Sequence, residues 1–346
     1  MSLVLNGTDG VTFNDASLQG AAASPYVLKN RIINGDMRID QRNAGASVTI
    51  TTTGLDYAVD RFFAQGSVTS KFTAQRSSTA PTGFTNSLLF TSSAATTPSS
   101  SDYYYFSQRI EGTNTYDLDF GIATAKTITI SFWVRSSLTG TFSGAVLNSA
   151  TNRSYAFTYT ISVANTWEQK TVTIAGDTSG TWLTTTGIGL EVRFALGAGS
   201  SFLQSSGSWG TGNIVGATGT TQWISTNGAT FYITGVQLEQ NTSATPFERR
   251  LYNQELINCQ RYFQYGNTAA DWITNAYSSN ATLFAPNMRT TPTIVTVGTP
   301  TQSAGATITY QSVVTTPYGM SVSFTGVSPY ATRQYYFGQF SASAEL

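Results

Sequence analysis

Short runs in which every second residue is apolar recur along this chain, and they restrict it to β-sheet architecture. In 127–134, Ile128, Ile130, Phe132 and Val134 fall on one side of an extended backbone, while Thr129, Ser131 and Trp133 fall on the other. The same period-two pattern returns in 154–161, 169–174, 188–194 and 229–239, with turn residues between the runs. Persuasive helical periodicity is confined to one stretch. Many short strands at such spacing predict a sandwich or jelly roll.

Composition narrows the chemistry. Charged residues make up 10% of the 346, against roughly 25% in an ordinary soluble domain, so Ser, Thr, Asn, Gln and Gly must supply the polar surface. Net charge is zero and the basic residues are scattered, which leaves no electrostatic footprint for nucleic acid or an anionic membrane. No apolar run is long enough to span a bilayer, and the N-terminus lacks a signal-peptide pattern, so release by cell lysis is expected. Histidine is absent and Cys259 is the single cysteine. That removes Ser-His-Asp triads, Cys-His dyads, histidine-bearing zinc sites and intrachain disulfides. Cys259 lies in an apolar-periodic stretch and reads as a buried, inert thiol.

Four regions follow from the pattern. Residues 1–30 form a turn-rich leader in which Leu3, Leu5, Val11 and Phe13 flank Asn6-Gly7-Thr8-Asp9-Gly10, a hairpin too small to bury a core alone. It is expected to pair with its own copies or to dock on another protein. Residues 31–248 read as a jelly-roll β-sandwich. Residues 249–263 read as a connecting helix, whose stripe of Leu251, Leu256, Ile257, Cys259, Tyr262 and Phe263 packs on a domain or on symmetry mates. Residues 264–346 return to β character as a C-terminal antiparallel sandwich, rich in aromatics and nearly free of charge. Within 31–42, an Asn34-Gly35-Asp36 turn precedes Met37 and Ile39, which alternate with Arg38 and Asp40 as in a half-buried strand.

Several of these segments resemble a module of bacteriophage tail fibres. The run 32–42 (IINGDMRIDQR) is similar to its entry, and Val59-Asp60-Arg61-Phe62 to its next strand. The run 130–136 (ISFWVRS) resembles its central strand, and 231–239 (FYITGVQLE) followed by 244–248 (ATPFE) its closing strand and exit. The run 255–263 (ELINCQRYF) is like the helix after that exit, and 342–346 (ASAEL) like the end of such fibres. Ordered segments carry more weight than one short motif. The resemblance implies an all-β fold with a carbohydrate-binding-module-like jelly roll. It implies a virion tail fibre protein, usually a homotrimer, whose distal domain binds a host cell-surface polysaccharide. Residues 1–30 would then attach to another virion tail protein.

Candidate glycan contacts follow from sugar chemistry: aromatic rings lie under C–H-rich sugar faces, and amides, carboxylates and guanidinium groups orient the hydroxyls. Trp272, Tyr277, Arg289, Tyr330, Arg333 and Tyr335 are such residues in the last domain, where the competing reading is trimer contact. Trp133 lies on the polar side of its strand, either on an open binding face or beneath a loop. Trp182, Trp209 and Trp223 sit in Gly/Thr/Ser-rich loops where exposure is expected, while Trp167 reads as structural. Asp36, Asp60 and Glu239 are candidate oxygen ligands for a structural calcium ion, with strand-end turns as the alternative reading; no other cofactor is expected. The expected activity is binding, not catalysis. Two alternatives stand beside it: a polysaccharide depolymerase using a carboxylate pair drawn from Asp102, Glu111, Asp117 and Asp119, and a purely structural virion connector.

Overall fold

A computed structural model describes residues 29–52, 54–272, 277–302, 307–327 and 334–346, together with the short strands Val4–Asn6, Gly10–Thr12 and Leu18–Gln19. Side chains are described outside those three strands and outside 268–272, 277–280, 299–302, 307–313, 322–327 and 334–336.

The alternating runs form two antiparallel sheets laid face to face. One has the order Glu168–Ile174, Ile128–Ser136, Thr230–Gln240, Ser87–Ser92, Phe72–Ser77, Val48–Thr49. The other has the order Trp209–Gly210, Ser154–Ile161, Gly140–Leu147, Ile188–Ala198, Tyr103–Glu111, Phe62–Gly66, Asp56–Val59. Ile128, Ile130, Phe132 and Val134 are all fully buried, as their alternation demands. Opposite them, Phe106 stacks on Phe90 of the facing sheet at 4.4 Å between centroids and on Phe194 of its own sheet at 5.0 Å. Phe132 meets Phe194 edge-on across the gap. Each such ring contributes roughly 1.5–3 kcal/mol by leaving water, and together they hold the sheets in one register.

The 31–42 segment departs from expectation. Met37 and Ile39 are buried and Arg38 and Asp40 are less so, but no strand ladder forms there. The alternation is right and the pairing is wrong: Arg31 and Gly35 make isolated backbone bonds to Thr230–Gln240, and side chains supply much of the rest. The Asn34 carboxamide donates to the Ile39 and Asp60 carbonyls and accepts from the Ile39 amide, at 2.8–2.9 Å. Gln108 bonds both the amide and the carbonyl of Ile33. Asn34 and Met37 take φ of 59° and 58°, which a regular strand forbids.

The helix is also shorter than its sequence pattern. It runs Tyr252–Gln260 and turns Glu255 and Cys259 inward, while Leu251 and Ile257 face solvent. Of the expected apolar stripe, Cys259, Tyr262 and Phe263 are buried and Leu256 is half-buried, so only Leu251 and Ile257 depart from the packed face. A carboxylate decides the orientation: Glu255 accepts the Asn34 amide and lies 3.3 Å from Arg250. Burial pushes the Cys259 thiol well above its usual range, which keeps it a neutral, unreactive thiol.

Beyond the helix, two three-stranded sheets form a smaller sandwich. Their orders are Phe263–Trp272, Gln334–Ser343, Thr293–Gln302 and Tyr277–Leu283, Gly319–Val327, Thr307–Thr316. Phe284, Met288, Met320, Phe340 and Ala342 are buried there. The last residues fold back on the larger sandwich. The Glu345 carboxylate pairs with buried Arg61 and, at 2.8 Å, with Arg42. Arg109 donates to the Leu346 carbonyl. Arg61 also lies over the Tyr262 ring at 3.5 Å, so one guanidinium ties the larger sandwich to the helix exit, two residues past Gln260, and to the chain end. In the leader, Val4–Asn6 pairs with Gly10–Thr12 as the expected hairpin, and Leu18–Gln19 adds a third strand. No helix among the described residues is long and apolar enough to cross a membrane.

Two stability outcomes follow. Glu191 and Glu111 are buried, which alone would raise their pKa values. Arg193 and Arg109 beside Glu191, and hydrogen bonds from Arg261 and Tyr262 to Glu111, reverse that and hold both below the usual carboxylate value of 4.5. Each therefore contributes stability that is complete above about pH 4.5 and is lost as pH falls through the lower folded-state value. Urea midpoints measured from pH 7 down to pH 3 should fall less steeply in Glu191→Gln than in wild type. Arg61→Met leaves Glu345 without its buried partner and should cost about 3–5 kcal/mol in chemical denaturation.

Candidate functional site

A cleft of about 280 Å³, close to the lower limit for small-molecule pockets, lies between the segment holding Asp36 and Arg38, the turn holding Phe84 and the start of the helix. Two sequence features build it. Gly235 sits at an irregularity in the pairing of Thr230–Gln240 with Ile128–Ser136 and takes φ of +62°. A Cβ there would lie 2.7 Å from the Phe84 ring and 3.2 Å from the Trp133 ring, so only glycine lets both aromatics close over the strand. The turn holding Phe84, closed by the Phe84 amide on the Pro81 carbonyl at 3.0 Å, then forms one wall. The chain entering the helix forms the other, with Arg249, Arg250, Leu251 and Tyr252.

The lining combines ring faces with polar groups. Phe84 and Phe247 meet edge-to-face at 5.3 Å, and the Arg249 guanidinium lies over Phe84 at 4.6 Å. Tyr252 is half-exposed, with Arg38 at 5.9 Å from its ring centroid. Arg38 Nε is 2.5 Å from an Asp36 carboxylate oxygen, a charge contact whose N–H does not aim along the oxygen. The second guanidinium nitrogen of Arg38 donates to the Arg250 carbonyl at 2.9 Å. Arg250 is fully engaged, by Glu248, Glu255 and the Asn30 and Ile32 carbonyls. The floor is therefore rigid, while Tyr252 and Arg249 are presented to solvent. Such a lining can stack on a sugar ring and exchange hydrogen bonds with its hydroxyls.

Of the residues expected to contact glycan, Trp133 lies half-buried behind Phe84, one layer below the cleft. Arg289 is turned inward and donates to the carbonyls of Thr186, Ala344 and Glu345 at 2.7–2.9 Å, so it fastens the chain end. Trp272, Tyr277 and Tyr335 lie in strands whose side chains are outside the described set, and Tyr330 and Arg333 lie outside the described residues. Trp223, expected to be exposed, is fully buried. Trp182 and Trp209 are half-buried against Phe120, because their Nε1 groups reach the Ser179 and Ala175 carbonyls and draw the loops down.

The expected calcium ligands are not brought together. Asp36 pairs with Arg38, Asp60 accepts from Gln41 and Arg42, and Glu239 accepts from Thr245 and Gln237. Among the described residues no three acidic, cysteine or histidine side chains are grouped to hold a metal ion. The carboxylates considered for hydrolysis are likewise separately engaged: Asp102 by Ser99 and Ser67, Glu111 by Arg261 and Tyr262, Asp117 by Arg31, Asp119 by Lys126. The outer face of the second sheet carries Glu191 and Arg193, but Phe202, Leu203 and Val215 roof that side and Arg193 bonds Asn213 beneath the roof.

Sequence reasoning passed over Phe84, Arg249 and Tyr252. The one available signal is the glycine in Ile233-Thr234-Gly235-Val236, since a lone glycine inside a strand pattern marks a bulge or a close approach.

Comparison with protein-family models finds no match, and comparison with curated proteins finds none either. Among solved structures, the chain is similar to the enzymatically active domain of tailspike protein 4 of bacteriophage CBA120, with 16% identity over 64% of this chain and a TM-score of 0.31. It spans 22% of that tailspike chain. It is also similar to a family 4 carbohydrate-binding module (16% identity, 60% of this chain, 98% of the module, TM-score 0.30). A third likeness is to the family 11 carbohydrate-binding module of a cellulosomal cellulase from Clostridium thermocellum (11% identity, 59% of this chain, 100% of the module, TM-score 0.29). Likenesses this loose carry none of the functional argument.

Gly235→Ala tests the construction of the cleft. The left-handed backbone and the contact with Phe84 should together cost about 1–3 kcal/mol in urea unfolding. Displacement of Phe84 should also change the native tryptophan emission, because Trp133 abuts the same point.

Proposed function

We propose that this protein is a bacteriophage tail fibre adhesin, a homotrimer that grips a host cell-surface glycan in the Phe84–Tyr252 cleft without transforming it. The observation that carries this reading is the cleft itself: a rigid floor, a half-exposed Tyr252 ring and polar groups on both walls. Sugars need flat aromatic surface plus oriented donors and acceptors, and this lining supplies both.

Trimerisation gives a shallow site sufficient strength, since three linked weak contacts bind by avidity. The smaller sandwich supports the assembly reading. Leu283, Val295, Val314 and Phe337 stand exposed on it and offer apolar side chains for contact with other copies. In this reading the leader of residues 1–30 attaches the fibre to another tail protein, and the protein resides in the virion tail.

A glycan array probed with the intact protein should return bound glycans. Tyr252→Ala should weaken each hit about fivefold or more per site without shifting the unfolding midpoint. Retention of full binding by Tyr252→Ala would remove the cleft from the reading. Sedimentation equilibrium should give three times the monomer mass, and a monomer would overturn the fibre assignment.

A further inference from the structure

Among the arginines whose side chains are described, all but one are held by an acceptor, and that one is at the cleft. Every other arginine whose side chain is described meets a carboxylate or a carbonyl. Arg31, Arg153 and Arg261 pair with Asp117, Asp177 and Glu111, and Arg135 donates to the Asn165 carbonyl. Arg250, the next residue, has four acceptors. Arg249 is exposed, and its described partners are the rings of Phe84 at 4.6 Å and Phe247 at 5.7 Å. The ring contacts hold the guanidinium at the cleft, and among the described residues its N–H groups have no acceptor. A planar, oriented fork of donors suits a carboxylate bidentately, and little side-chain entropy remains to be lost on binding.

A second feature points the same way. The helix Tyr252–Gln260 begins at the cleft, and its N-cap position, Leu251, has no side chain able to accept from the first-turn amides. The carboxylate in its first turn, Glu255, is directed to the Asn34 amide and Arg250. Uncapped amides and the positive end of the helix dipole favour an anion nearby. The lining has three arginines against one carboxylate, Asp36, which Arg38 already contacts.

We infer that the cleft selects a carboxylated sugar, a uronic acid residue of an acidic polysaccharide, with its carboxylate on Arg249 and its ring on Tyr252. This rests on the glycan-binding reading above and goes beyond it by naming the charge of the ligand. The arrangement also explains why a chain with no net basic patch can prefer an anion: selection is local to one guanidinium.

The test uses the full chain and matched probes: polygalacturonate, alginate and hyaluronan, each beside its carboxyl-reduced, neutral counterpart, in isothermal titration. At least one acidic polymer should bind, and reduction of its carboxyl groups should weaken binding about tenfold or more. Arg249→Gln should lose the same factor on the acidic polymer and no longer distinguish it from the reduced one, with an unchanged unfolding midpoint. Added salt should weaken the acidic interaction and leave the neutral one nearly constant. Equal binding of acidic and reduced polymers, or an Arg249→Gln protein that keeps the preference, overturns the inference. If Tyr252→Ala still weakens binding about fivefold or more in that case, the glycan reading survives alone. Failure of all acidic and neutral polymers, together with a blank glycan array, overturns both.

Discussion

The buried carboxamide of Asn34 is the contact on which the rest of this structure depends. It bonds three backbone groups of the 31–42 segment and the Asp60 turn, beside the single backbone bond from the Asp60 amide to the Ile39 carbonyl. Its own backbone amide is taken by Glu255, so the same residue fixes the helix. Next to it, Asn30 bonds the Val236 carbonyl and the Leu238 amide, stitching the segment to the final strand of the first sheet. Leaving any one of these buried groups unpaired costs roughly 1–3 kcal/mol, so the segment stays in place only as a set. The helix start, and with it Arg249 and Tyr252, is set by this junction.

The same economy governs the charges. A chain with so few ionised groups has placed several of the described ones at seams. Arg61, Arg42 and Glu345 join the chain end to the larger sandwich, and Arg261 with Tyr262 joins the helix exit to Glu111. Solubility is left to hydroxyls and amides. A buried ion pair need not stabilise more than an apolar contact would, but it tolerates one geometry only. Here that geometry orients the two sandwiches through a short connecting helix. Arg249 stands out against this background because no such partner holds it among the described residues.

The strands were legible because their pattern is local. Ile128, Ile130, Phe132 and Val134 announce a buried face wherever the strand ends up, and the sandwich class follows from many such runs. Tyr103–Glu111 was not legible, since its outward residues Tyr103, Tyr105 and Ser107 are themselves covered and the polar alternation is blurred. The helix was legible in part: Cys259, Tyr262 and Phe263 are buried as their stripe suggested, whereas Leu251 and Ile257 face solvent and a glutamate, Glu255, shares the inward face. The aromatic residues in loops misled in the opposite direction, because Trp223 is fully enclosed by contacts that composition cannot register.

What the sequence determined by itself was the class of fold and the range of chemistry. Period-two burial dictates paired strands, and the lack of histidine together with a single cysteine removes whole families of mechanism before any coordinate is considered. What only the tertiary structure decided was which side chains meet. Phe84 and Trp133 are brought together across a glycine bulge, Arg61 and Glu345 across 284 positions of chain, and Asn34 and Glu255 across 221. Such contacts depend on the register of distant strands, and no local preference encodes a distance between residues so far apart in the chain.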